Sequence, residues 1–285
     1  MSPLVKVSGL AKRFGDIRAV RDMSFEVAEG EVLGFLGPNG AGKSTTMKMI
    51  TGFLEPDAGE VEVGGHRMSA QPVAAKSSIG YLPEGAPLYG DMTTGAFLRF
   101  IGAMRGLAGD RLEARIGEVV NMVNLDSVLQ QNLDTLSKGF KRRVGIAQAI
   151  LHDPPVLILD EPTDGLDPNQ KHEVRELIRS MAPAKAIILS THILEEVEAV
   201  CTRAMIIASG TIVADNTPAE LAARAGGGNT GSWSRPGAST SKPCASASRG
   251  SHGPRASRRS PPTARDRACA SAWRNPRRPR SSRGF

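Results

Sequence analysis

The sequence predicts an α/β domain built around a largely parallel sheet, and three observations carry that expectation. EVLGFLG at 31–37 alternates like a strand, then runs into a glycine-rich turn and a helical pattern from about Lys43 to Thr51, which is the strand–loop–helix unit of such domains. Three short bounded runs, VLILD at 156–160, AIILS at 186–190 and AMIIA at 204–208, are apolar on both faces, as strands are when helices cover a parallel sheet on both sides. Between about 88 and 150 the apolar period is helical instead.

In chain order, LVKVSGL at 4–10 and SFEV at 24–27 precede the first α/β unit and read as strands. In the helical block, Phe97, Phe100, Ile101 and Met104 are expected on one apolar face, and Leu112, Ile116, Val119, Val120 and Val123 on the next. The three buried strands follow. Thr217, Pro218 and Glu220 in TPAEL at 217–221 form a capping box that opens a last short helix. No internal repeat is apparent.

Charge divides the chain. Its 285 residues carry a formal net charge of +7, yet residues 226–285 hold 13 of the 36 Lys and Arg and one of the 29 acids, Asp266. The first 225 residues therefore keep 23 basic and 28 acidic side chains, a balance of −5. The tail lacks Leu, Ile, Val and Met, so it is expected to stay disordered for want of apolar surface to offset ordering entropy. Two readings of it stand: a basic arm for anionic lipid or nucleic acid, or translation out of frame from GC-rich DNA. The second is favoured, because the composition changes abruptly near Gly226. Cys201, Cys244 and Cys269 show neither disulfide nor metal spacing. No signal segment opens the chain, and no apolar run approaches the roughly 18 residues that span a bilayer, so work at a membrane is expected to need another polypeptide.

Two motifs carry chemistry. GPNGAGKS, comprising Gly37, Pro38, Asn39, Gly40, Ala41, Gly42, Lys43 and Ser44 with Thr45 just beyond, matches the P-loop pattern in full. Its glycines let backbone amides turn inward on phosphate oxygens at the positive end of the next helix. Lys43 then meets the β- and γ-phosphates, and the Ser44 hydroxyl meets Mg²⁺. In VLILDE, Asp160 ends a buried strand where it can hold Mg²⁺ through water, and Glu161 is placed to polarise the attacking water. A ligand-free turn and a solvated strand end are the plain alternatives. His66, His152, His172 and His252 match no motif and are expected at the surface.

LSKGF at 136–140, TDGLDP at 163–168, STHILEE at 190–196 and KRFG at 12–15 narrow this further. Together with the P-loop, over residues 1 to about 225, they make the chain resemble the ATP-binding subunits of ABC transporters. The resemblance implies a P-loop fold of mixed or parallel sheet, with an N-terminal antiparallel β subdomain and a helical insertion at about 88–150. It further implies ATP and Mg²⁺ as ligands, Phe14 stacking on adenine, Asp167 as the D-loop acid and His192 sensing the γ-phosphate. In that family two copies pair head to tail, so Ser137 and Gly139 in the signature of one copy close over ATP in the P-loop of the other. Each of these residues also has a plainer place: Phe14 as a strand-end aromatic, Asp167 as a helix cap, His192 as an interior histidine.

Two departures matter. Glu84 in GYLPE stands where the commonest form has Gln, and a carboxylate is itself a hard ligand for Mg²⁺. Lys138 and Phe140 stand where Gly and Gln are commoner. With YLPE, LSKGF resembles the export-type branch whose partners are integral-membrane permeases of the ABC-2 kind. The expectation is a homodimeric ATPase on the cytoplasmic face of the membrane, with no nucleic acid as partner. The alternative is a soluble ABC ATPase acting on nucleic acid or ribosomes, which the two short helices between P-loop and signature disfavour, since DNA-repair types carry a long coiled coil there.

Overall fold

A computed structural model describes residues 3–85 and 87–226. The basic segment from 227 onward, with Cys244, Cys269 and His252, lies outside the described residues. Gly226, counted above with the tail, closes the last described helix.

The chain begins with an antiparallel sheet. β1 (Val5–Phe14) pairs with β2 (Ile17–Val27) through a tight turn at Gly15–Asp16, and on its other edge with β4 (Ala58–Val63), which pairs with the two-residue β5 (His66–Arg67). Both first strands are longer than the sequence predicts.

The second sheet holds six strands in the order β10-β9-β3-β8-β7-β6, formed by β3 (Val32–Leu36), β6 (Ile79–Leu82), β7 (Val156–Asp160), β8 (Ala186–Thr191), β9 (Arg203–Ala208) and β10 (Thr211–Asn216). Every pairing is parallel except that of β10, an antiparallel edge strand.

The doubly apolar runs now have their cause. In β7, Val156 and Ile158 face a core shared with the antiparallel sheet, whereas Leu157 and Leu159 face the helices. In β8, Ala186 and Ile188 face the first core, and Ile187 and Leu189 the second. Each fully buried Val, Leu or Ile contributes about 1.5–3 kcal/mol, so both faces hold these strands in the middle of the molecule. Phe25 and Phe35 meet edge to face, 5.4 Å between centroids, and tie the two sheets together.

Between the sheets lies α1 (Lys43–Ile50), opened by the glycine-rich loop; α2 (Pro72–Ser77) precedes β6. The helical block contains α3 (Thr94–Met104) and α4 (Gly109–Met122), then two single turns of 3₁₀-helix and α5 (Lys138–Ile150). In α4 the expected face is buried at Ile116, Val119 and Val120. The expected face of α3 is corrected: Phe97 and Leu98 are buried with Thr94, Gly95 and Gly102, while Phe100 and Met104 are exposed. Phe100 instead packs edge to face on Tyr89, 5.7 Å away.

Helix α5 lies against β6 with no room to spare, because a Cβ on Gly80 would fall 2.1 Å from the Ala149 carbonyl oxygen. The remaining helices are α6 (Pro168–Met181), α7 (Leu194–Val200) and α8 (Pro218–Gly226). The capping box forms as expected: Glu220 N–H donates to Thr217 Oγ1, and Thr217 N–H to Glu220 Oε2. Among the described residues, no helix is long and apolar enough to cross a membrane.

Candidate functional site

The carboxyl ends of β3, β7 and β8 meet at one rim, where ligands of open α/β sheets bind. The loop after β3 wraps tightly there. Gly42, at φ 108°, is the N-cap of α1, and a Cβ on it would fall 2.6 Å from the Ala19 carbonyl oxygen, so only glycine lets the loop lie on the neighbouring β2 backbone. The loop forms the floor of a cavity of about 450 Å³.

Asn39, Gly40, Ala41, Gly42, Lys43, Ser44 and Thr45 line this cavity, joined by Glu84, Glu161, Asp164 and His192. Gly37 and Pro38 contribute through their carbonyls, which accept from Lys43 Nζ at 2.7 and 3.3 Å. Asp160 lies behind Ser44, 1 % exposed, and accepts from its hydroxyl at 3.2 Å.

Glu161 has the most constrained position. Its backbone is left-handed, φ 50°, a conformation that is costly for a non-glycine residue and tends to collect at functional sites. Its N–H donates to Ser190 Oγ at 2.9 Å, and that hydroxyl in turn donates to Asp160 Oδ1 at 2.5 Å. The side chain reaches His192 Nδ1 at 3.1 Å and Lys43 Nζ at 3.9 Å. Burial raises the Glu161 carboxyl above its ordinary value, more than His192 and Lys43 offset.

A second buried carboxylate supports this rim from behind. Burial alone would raise Glu196, but hydrogen bonds from Thr191, Thr163 and Lys171 hold it below its usual range. Thr191 Oγ1 donates to it at 2.7 Å and Lys171 Nζ at 3.0 Å, which fixes the strand end that precedes His192.

The donor set fits a hard divalent cation. Ser44 Oγ and Asp160 Oδ1 are adjacent, Glu84 adds a carboxylate on the cavity wall, and all three are oxygen donors. Among the described residues no group of three or more His, Cys, Asp and Glu could enclose a metal.

Four predicted residues lie elsewhere. Ser137 is the N-cap of α5 and accepts from Phe140 N–H; Gly139 packs on Gln170, where a Cβ would fall 2.5 Å from the side-chain oxygen. Asp167 caps α6, accepting from Gln170 N–H at 2.9 Å. Phe14 ends β1, 48 % exposed, with Lys12 Nζ 5.9 Å from its ring centre. None of the four lines the phosphate cavity. Lys138 pairs with Asp164 at 3.0 Å and lies over Gly165.

Sequence reading missed Ser190, Arg142, Thr163 and the Thr191–Glu196–Lys171 network. Thr163 lies inside TDGLDP, and Ser190, Thr191 and Glu196 inside STHILEE, but neither motif reveals their partners; a further signal is polarity at the end of an aliphatic strand, at Ser190 and Thr191.

A family profile described as ABC transporter matches residues 20–164. The chain belongs to the ABC transporter family. As an ABC ATPase it is the ATP-binding, ATP-hydrolysing kind of subunit. It is 37 % identical over 225 residues to the linearmycin resistance ATP-binding protein LnrL of Bacillus subtilis, spanning 79 % of this chain and 72 % of that one. It is 36 % identical over 221 residues to the Nod factor export ATP-binding protein I of Ralstonia nicotianae, spanning 77 % and 69 %. Among solved structures, an ATP-binding subunit of an ABC transporter superposes with a TM-score of 0.72 at 33 % identity, over 78 % of this chain and 93 % of that one.

Proposed function

We propose that this ABC ATPase works as a homodimer with Mg²⁺-ATP at its interface, on the cytoplasmic face of a membrane, and powers export by a separate permease of the ABC-2 kind. The observation that carries the proposal is the convergence of Lys43, Ser44, Asp160, Glu161 and His192 on one cavity. The P-loop amides and Lys43 hold the phosphates. Ser44 and Asp160, with Glu84, hold Mg²⁺, which neutralises developing phosphate charge when bound. Glu161 takes the proton of the attacking water, favoured by a raised affinity for protons. His192 orients that carboxylate and contacts the γ-phosphate.

Export rests on the two relatives named for resistance and for export. The dimer rests on Ser137, Gly139 and Asp167 lying off the cavity, so that a second copy is needed to bring a signature to it. The basic segment 226–285 is proposed to follow a domain of residues 1–225 and to arise from a change of reading frame.

The test is ATP hydrolysis by the purified chain. Turnover that is lost on chelating Mg²⁺ and in Lys43→Ala is expected, together with co-purification of an integral-membrane protein from a detergent extract. Turnover that persists in Lys43→Ala would sink this assignment.

A further inference from the structure

Arg142 lies in the second turn of α5, 6 % exposed. Burying a cation is costly unless its donors are satisfied, and these are satisfied by backbone carbonyls. Nη1 donates to Pro83 O at 3.1 Å and Glu84 O at 2.8 Å. Nη2 donates to Asp160 O at 2.6 Å and to Glu161 O, and Nε donates to Pro162 O at 3.1 Å.

The five acceptors belong to two segments only, the one after β6 and the one that runs from the last residue of β7, Asp160, to Pro162. Those segments carry Glu84, Asp160 and Glu161, which line or back the phosphate cavity. A planar guanidinium with five N–H donors can span both segments at once, whereas a Lys ammonium has three donors at one point. Arg142 also closes the second pin on Glu161: Ser190 accepts from its N–H and Arg142 donates to its carbonyl. The left-handed backbone at Glu161 is therefore held at both ends.

The helix that supplies Arg142 begins at the Ser137 cap, and it packs closely on β6, where a Cβ on Gly80 would fall 2.1 Å from the Ala149 carbonyl oxygen. One side chain thus ties the entry of α5 to both segments that carry the acidic groups.

We infer that Arg142 is a positioning residue for ATP hydrolysis, clamping the segments of Glu84 and Glu161 to the helix that starts at Ser137 and aiming the Glu161 carboxylate. The inference rests on the reading of Glu161 as the base. Its test compares the full-length wild type with Arg142→Lys and Arg142→Gln by steady-state ATPase kinetics, melting temperature and peptide hydrogen exchange.

Folded Arg142→Lys is expected to keep its KM for ATP within about twofold while kcat falls ~10–100-fold, since misplacing a reacting group costs turnover rather than uniform binding. Faster exchange is expected only in peptides covering 83–85 and 160–164. The inference is overturned by wild-type kcat in either variant, by a parallel loss of kcat, affinity and melting temperature, or by failure of both variants to fold, which would make Arg142 a purely structural residue. If Glu161→Gln, run alongside, keeps full turnover, the reading of the base itself has failed, and that result is distinguishable from any outcome at Arg142.

Discussion

Glu161 shows how one residue can be legible in kind and illegible in detail. VLILDE at a strand end was enough to nominate an acid beside a P-loop. Its left-handed backbone, its two pins and its raised proton affinity come from Ser190, Arg142 and burial, which lie far away in sequence. Glu161→Gln is predicted to bind ATP with little change and to lose turnover by about 10²–10⁴-fold, the usual contribution of a general base; nucleotide binding and kcat measured on one preparation check this. Burial disfavours the ionised form, so the base is lost as pH falls through a value above the ordinary 4.5. The acid limb of kcat/KM against pH, which reports the free enzyme, is therefore expected above 4.5, and an acid limb at or below that value would show that burial does not govern this carboxyl. Phe14, expected to stack on adenine or else to be a strand-end aromatic, ends β1 at 48 % exposure and does not line the cavity.

Elements followed their periods where two faces were buried and departed from them where one face was not. β7 and β8 were placed to within a residue because both faces meet a core. Phe100 and Met104 share the sequence pattern of a buried face, yet the register of α3 is set by Phe97, Leu98 and the small Gly95 and Gly102 that admit close neighbours. His152 corrects the expectation that the unmatched histidines are surface residues. It lies beyond the end of α5, with Nε2 donating to the Ile79 carbonyl at 3.1 Å and Nδ1 buried without a partner. Burial, then the nearby Arg105, Lys185 and Arg115, lowers it from 6.5 to about 4. In the unfolded chain it binds a proton below 6.5, and in the fold only below about 4, so stability falls as pH drops through that window. Carboxylates held low, such as Asp153 and Asp164, act only below their ordinary 3.8. His152→Gln is predicted to flatten the decline in urea midpoint between pH 6.5 and about 4; an unchanged slope would assign the decline to other groups.

At the scale of the whole molecule, the proposed site is completed by a second copy. Ser137 and Gly139 sit at the entry of α5, away from the cavity of their own chain. Glu161→Gln with ATP is predicted to elute as a dimer in size-exclusion chromatography. Lys43→Ala and Ser137→Arg, each inactive alone, are predicted to regain turnover when mixed, because a mixed dimer holds one site with an intact P-loop and an intact signature. No gain on mixing would mean that hydrolysis is completed within one chain.

What the sequence determined by itself is the set of local signals: a glycine loop that must cradle phosphate, aliphatic runs that must be covered on both faces, the LSKGF signature at 136–140, and the family these belong to. Those follow from neighbours in the chain, where period and turn chemistry act. Only the tertiary structure decided which distant groups hold the acids in place. Ser190 and Glu196 stand within STHILEE and Arg142 just past LSKGF, yet their partners come from a buried environment that forces each donor and acceptor to find one.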